Sequence, residues 1–208
     1  MQYLKTVTVA SAAVLVLAGC GSQVAGQAAP TAVSSAPPAT NTAPTSSAAP
    51  AGNGLTPTGT TLAVGETATV QYETKSQSKQ STKLEVTAVS VKKGAISDLK
   101  DFTLDAQTKA SEPYYVTMTF KNAGPETMEP TGIFGLINPH NADGDKLGKL
   151  NLIGKFKRCE GTPPKTLAVG ASFTECDVFV APVGQAVASV VFGFYLDSTS
   201  TEITWKAG

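Results

Sequence analysis

The sequence predicts an all-β chain: an antiparallel β-sandwich of about seven or eight short strands, carried behind an export signal and a disordered tether. Three observations lead there. Apolar residues recur at every second position in run after run between residues 57 and 208, turn formers separate those runs, and residues 1–56 have a different composition altogether. Alternation with period two marks strands with one buried face, and short strands at regular spacing mark a sandwich.

Residues 1–19 come first. Lys5 gives a small positive start, and Thr6 through Ala18 are uncharged and mostly apolar, which is the layout of an export signal. A bilayer-spanning helix needs roughly 20 apolar residues, more than this run supplies. A buried helix of a cytosolic domain would need a polar face, yet no charge occurs between Lys5 and Glu66. Leu17-Ala18-Gly19-Cys20 resembles the lipobox of bacterial lipoproteins. The resemblance implies a diacylglyceryl group on the Cys20 sulfur and cleavage in front of it. The mature chain would then be held on the extracytoplasmic face of the cell membrane by two or three acyl chains, anchored and not spanning.

Residues 20–56 are dense in Ala, Pro, Ser and Thr, with no charge and no aromatic ring. Such a segment buries too little apolar surface to offset its ordering entropy, so it is expected to be a disordered linker. As a coil of about 35 residues it spans roughly 30 to 35 Å, and fully stiffened by its prolines about 100 Å.

Residues 57–208 have the size of one domain. Lys83 to Ala88 alternates, and Val89 and Val91 continue in the opposite phase, the mark of a β-bulge. Tyr114, Val116, Met118 and Phe120 share one face of the next run; Thr174, Cys176, Val178 and Val180 alternate similarly, as do Val190, Phe192, Phe194 and Leu196, and finally Ile203 and Trp205. Gly65, Asn122 to Pro125, Asp143-Gly144, Pro163-Pro164, Gly170 and Pro182 to Gly184 supply the turns. Ala95 to Ser111 is long for a loop, and Ser97 to Phe102 suits a helical turn. TLAVG stands at 61–65 and again at 166–170, read as two entry turns whose glycines take positive φ.

LAVGETATV (62–70), KLEVTAVSV (83–91), PYYVTMTFKNAG (113–124), LAVGASFTECDVFVAPVG (167–184) and VVFGF (190–194) together resemble the telokin-like, immunoglobulin-fold extracellular domains of Gram-positive surface lipoproteins. That resemblance implies an immunoglobulin-like sandwich and an envelope location, and supplies no catalytic residues. The chain departs from antibody domains, since Cys159 and Cys176 lie close in sequence and the lone Trp205 falls in the last strand.

Few chemistries fit. With Cys20 set aside, Cys159 and Cys176 remain as an even pair in an exported chain and are expected to form one disulfide; two reduced thiols, or half of a metal site, are the alternatives. A zinc site would need further Cys or His ligands, and the chain has one His. There are 16 basic and 16 acidic residues, and loss of Lys5 leaves 15 against 16, so no basic surplus draws nucleic acid. His140 sits in NPHNADGD, a run of turn formers, and is expected in a solvated loop. Calcium in an EF-hand loop would need ligands where Pro139 and Leu150 stand, and a turn on Asp143-Gly144 accounts for the run without a metal. The acids are scattered, mostly opposite apolar alternates, and show no glycosidase-like pair. Lys146, Lys149, Lys155, Lys157 and Arg158 form a candidate patch for an anionic partner, or the wet side of two strands. The leading expectation is a non-enzymatic, lipid-anchored interaction domain for an envelope protein or anionic glycan, without cofactor. An envelope hydrolase working near His140 and a passive spacer are the alternatives.

Overall fold

The computed structural model describes residues 52–73, 81–196 and 199–208. The segment expected to be an export signal, Cys20 and nearly all of the expected linker lie outside the described residues. Among the described residues nine strands run in chain order: β1 Thr61–Ala63, β2 Thr67–Glu73, β3 Ser81–Lys93, β4 Ser111–Asn122, β5 Ile137–His140, β6 Gly148–Lys149, β7 Ser172–Pro182, β8 Ser189–Leu196 and β9 Thr199–Lys206. They form two sheets, β1-β9-β8-β5 and β2-β3-β4-β7-β6.

From β3 onward, taking the strands as A to G, the sheets read A-B-E-D and C-F-G, the order of a constant-type immunoglobulin sandwich. β2 extends the first sheet and β1 the second. β1 runs parallel to β9, with Thr61 opposite Thr204, so the sandwich is not wholly antiparallel as expected. The chain enters beside its own last strand and covers that edge, which would otherwise present unpaired backbone. The strand count exceeds the expected seven or eight because β1 and β6 have three and two residues, too few to show a period.

Alternation builds the core. Leu84, Val86 and Ala88 of β3, Val116, Met118 and Phe120 of β4, Phe192 of β8, and Ile203 and Trp205 of β9 are all fully buried in one cluster. Phe120 meets Phe192 of the opposite sheet at 5.8 Å between ring centroids. Trp205 is enclosed because its indole N–H donates to the Glu66 carbonyl at 2.8 Å, which satisfies its polar atom. The phase change in β3 is a bulge: Ala88 pairs with Met118 and Ser90 with Thr117, leaving Val89 as the extra residue. Both TLAVG segments end in a turn glycine, Gly65 with φ 98° and Gly170 with φ 74°, and in each the leucine, Leu62 or Leu167, is buried.

The long β3–β4 connection holds a 3-10 turn at Ile96–Leu99 and the short helix α1 at Ala106–Lys109. Asp98 accepts from the Ala95 N–H at 3.0 Å, and Asp105 from the Thr108 N–H at 2.7 Å, so each turn carries its own cap. This connection and the segment between β6 and β7 enclose a second apolar cluster of Leu99, Tyr115, Phe156 and Val178, with Phe102 and Leu152 against it. Tyr115 and Val178 alternate with the core residues of β4 and β7, so the cluster lies on the outer face of the first sheet.

Candidate functional site

The disulfide expected from the sequence is present. Cys159 and Cys176 are bonded, with 5.0 Å between their α-carbons. Cys176 projects from the outer face of β7, and the bond holds the β6–β7 segment against the second cluster. Phe156 enters that cluster edge-on to Phe102 and Tyr115, at 5.7 and 5.5 Å between centroids.

Placing Cys176 outward puts its neighbours inward, and those neighbours are acids. Glu175 and Asp177 share the inner face of β7 with Phe173, Phe179 and Ala181, opposite Met118 and Val116 of β4. Each is only 7% exposed. Asp177 Oδ1 accepts from Lys149 Nζ at 2.7 Å, and that ammonium lies 5.7 Å from the centre of the Phe134 ring. Among the described residues, Glu175 Oε2 and Asp177 Oδ2 are buried without a hydrogen-bond partner. Burial, followed by the charge of Asp177, pushes the Glu175 carboxyl up to about 7, against a smaller opposing effect of Lys149. A buried carboxyl next to another carboxylate resists ionising.

The scattered acids of the sequence thus include one pair brought together. The signal was available: Phe173, Phe179 and Ala181 have the parity of Glu175 and Asp177, and only Cys176, Val178 and Val180 argued for the opposite face. Gly161 lies against β7 beside Glu175, so close that a β-carbon on it would lie 2.7 Å from Glu175 Cα and 2.8 Å from the Cys176 amide nitrogen. Clefts among the described residues lie elsewhere. One is bordered by Asp105, Gln107, Asp145, Lys146 and Gln185, another by Ser81, Thr82 and Glu126, and another lies between Gly154 and Thr162. None of these is lined by Glu175, Asp177 or His140.

His140 is not in a solvated loop. It ends β5, half-buried, paired through its backbone with Ser189 and bridged to Lys146. Pro139 lies within the strand, opposite Val190, and the turn starts only at Asn141. That residue accepts from the Asp145 N–H at 2.8 Å and donates to Gln185 Oε1 at 2.9 Å, while Gly144 takes φ 86°. These bonds account for Asn141 and Asp145 within the turn itself. Among the described residues no group of three or more His, Cys, Asp or Glu is placed to hold a metal ion.

The basic residues divide. Lys149 is committed to Asp177. Arg158 Nη2 lies 3.3 Å from Asp98 Oδ1, and Asp98 also accepts from the Tyr115 hydroxyl at 3.0 Å. The Ala95 N–H is the main cause holding the Asp98 carboxyl below its usual value, with Tyr115 and Arg158 adding to it. Burial first, then this hydrogen bond to Asp98, pushes the Tyr115 hydroxyl up to about 12. Lys146, Lys155 and Lys157 are exposed.

No family model matches the chain, and no curated protein matches it. Among solved structures the chain is similar to an uncharacterized β-sandwich protein from Clostridium difficile 630, at 10% identity and a TM-score of 0.36, over 71% of this chain and 94% of that one.

Proposed function

We propose that the chain is a lipid-anchored cell-envelope protein whose sandwich acts as a non-enzymatic interaction domain for an envelope protein or an anionic glycan. Cysteine usage supports this reading most directly. Two of the three cysteines are joined in a disulfide, a bond that persists in oxidising compartments, and the third, Cys20, stands directly behind a short apolar run with small residues before it. The two acids that the fold brings together, Glu175 and Asp177, are each only 7% exposed, which favours a binding role for the surface over chemistry in the interior. The test is fractionation of cells carrying Cys20→Ala. The variant should leave the membrane fraction; membrane association that persists and resists high salt would sink the reading.

A further inference from the structure

Ile153 is 98% exposed, against 46% to 70% for the other exposed large apolar side chains, Val89, Val169 and Val183. A lone exposed apolar residue on an unsupported turn would carry no meaning, but this one stands on a built support. The Leu150 N–H donates to the Val178 carbonyl at 2.8 Å, Leu152 and Phe156 face the second cluster, and Cys159 is tied to Cys176. The chain bends at Ile153 and Gly154, where Gly154 takes φ 124°. Residues 150, 152 and 156 therefore point in, and Ile153, Lys155 and Lys157 point out. No ion pair among the described residues involves Lys155 or Lys157.

We propose that this loop, Leu150 to Arg158, is a membrane-contacting finger: Ile153 enters the headgroup layer of an anionic bilayer while Lys155 and Lys157 meet lipid phosphates. The combination selects the partner. An anionic glycan would engage the lysines but gain nothing from a protruding isoleucine, whereas a bilayer surface uses both. Each lysine at an anionic surface strengthens partitioning about fivefold, and burying an isoleucine roughly tenfold to a hundredfold. Arg158 adds little because Asp98 holds it, and Glu160 subtracts. The finger alone then binds with a dissociation constant on the order of millimolar. That is negligible for a free domain but matches the millimolar effective concentration that a flexible tether provides. The inference rests on the proposed anchor at Cys20 for its biological weight, not for its chemistry.

The test uses the full lipidated chain in vesicles of phosphatidylcholine with about 30% brominated phosphatidylglycerol, a fraction chosen to give a strongly anionic surface. Trp205 is buried, so the indole introduced by Ile153→Trp reports its own surroundings, and Val183→Trp serves as the control for proximity. Quenching and a blue shift at position 153 but not 183 are expected. Adding Lys155→Gln and Lys157→Gln should lower binding of the finger by about 25-fold, two lysines at fivefold each. Equal quenching at 153 and 183 overturns the proposal. So does binding of a soluble glycerol-phosphate polymer at Lys155 and Lys157 while the emission of the Ile153→Trp variant stays unchanged in vesicles. The lipid is read separately from the mass of the Cys20 peptide: an unlipidated chain that still shows quenching selective for 153 at high lipid concentration upholds the finger and removes only the anchor.

Discussion

Lys149 Nζ lies 2.7 Å from Asp177 Oδ1, and among the described residues this ammonium is the cation placed against the two buried carboxyls of β7. β6 has only two residues, yet its pairing with Phe179 and Val180 sets Lys149 where the inner face of β7 turns acidic. A carboxylate left buried without its cation is costly. Lys149→Met should therefore destabilise the domain by about 3 kcal/mol, the lower end for breaking a buried pair because the lysine is partly solvated. Adding Asp177→Asn and Glu175→Gln to that variant should recover most of the loss. Urea midpoints of the three proteins decide; equal midpoints for wild type and Lys149→Met would show that water, not Lys149, compensates the pair.

Glu175 makes stability depend on pH near neutrality. Its carboxyl is raised from 4.5 to about 7, so between these values the folded state holds a proton that the unfolded state has lost. The stabilisation is complete below the unfolded value and disappears as pH rises through about 7. Asp98 and Asp105 are shifted the other way, below 3.8, so their contribution is lost only in more acidic solution. The window from about pH 5 to about pH 8 isolates Glu175. Wild type should lose up to about 3 kcal/mol across it, and Glu175→Gln should flatten the curve and be the more stable protein at its alkaline end. A wild-type curve that rises toward that end would refute the assignment.

The same strand shows why part of this molecule was legible in its sequence and part was not. Period two carried β3, β4, β8 and β9, and a phase change located the bulge at Val89, because burial on one face writes itself directly into alternation. β7 is buried on both faces over Asp177 to Phe179: the core lies on one side and the disulfide-bearing cluster on the other. Alternation then stops telling inside from outside, and Glu175 and Asp177 read as a wet face. Asn122 misled in another way. It reads as a turn former, yet it is fully buried; it donates to the Glu126 and Leu167 carbonyls at 2.7 and 3.0 Å and accepts from the Gly124 N–H at 3.0 Å. Nothing in one chain distinguishes an asparagine that faces water from one that staples three segments. The division of the basic residues was equally hidden, since Asp177 and Asp98 are distant in sequence from Lys149 and Arg158.

Reduction should act locally. The Cys159–Cys176 bond contributes about 3 kcal/mol in the chain-entropy picture, but the main core contains neither cysteine. The reduced domain should thus remain folded while the β6–β7 segment opens and Phe156 leaves its contacts with Phe102 and Tyr115. Trypsin supplies the readout, because Lys155, Lys157 and Arg158 lie in that segment. Cleavage after these residues should be slow in the oxidised protein and fast after reduction, with sites in β3 and β4 still protected. Uniform cleavage throughout the reduced chain would show that the sandwich depends on the bond.

Gly161 offers a test of how tightly the same segment is laid on β7. A β-carbon there would meet backbone, Glu175 Cα at 2.7 Å and the Cys176 nitrogen at 2.8 Å, as well as Glu175 Oε2 at 3.0 Å. Backbone cannot rotate aside as a flexible side chain does, so the segment or the strand must move. Gly161→Ala should destabilise the oxidised protein by about 1 to 3 kcal/mol, the range for inserting one carbon into a packed site. Gly135→Ala is the control, with nothing within 4 Å of the added carbon and no positive φ; it should be neutral or stabilise by about 0.5 kcal/mol through the unfolded state. The origin of the Gly161 penalty can be separated by redox state. In the oxidised protein Cys159 pins the chain two residues away and the clash cannot relax, whereas after reduction the segment can lift from β7. The penalty should therefore shrink on reduction, a coupling expected only between sites sharing one backbone shift. A penalty of equal size in both states would place the strain in β7 itself.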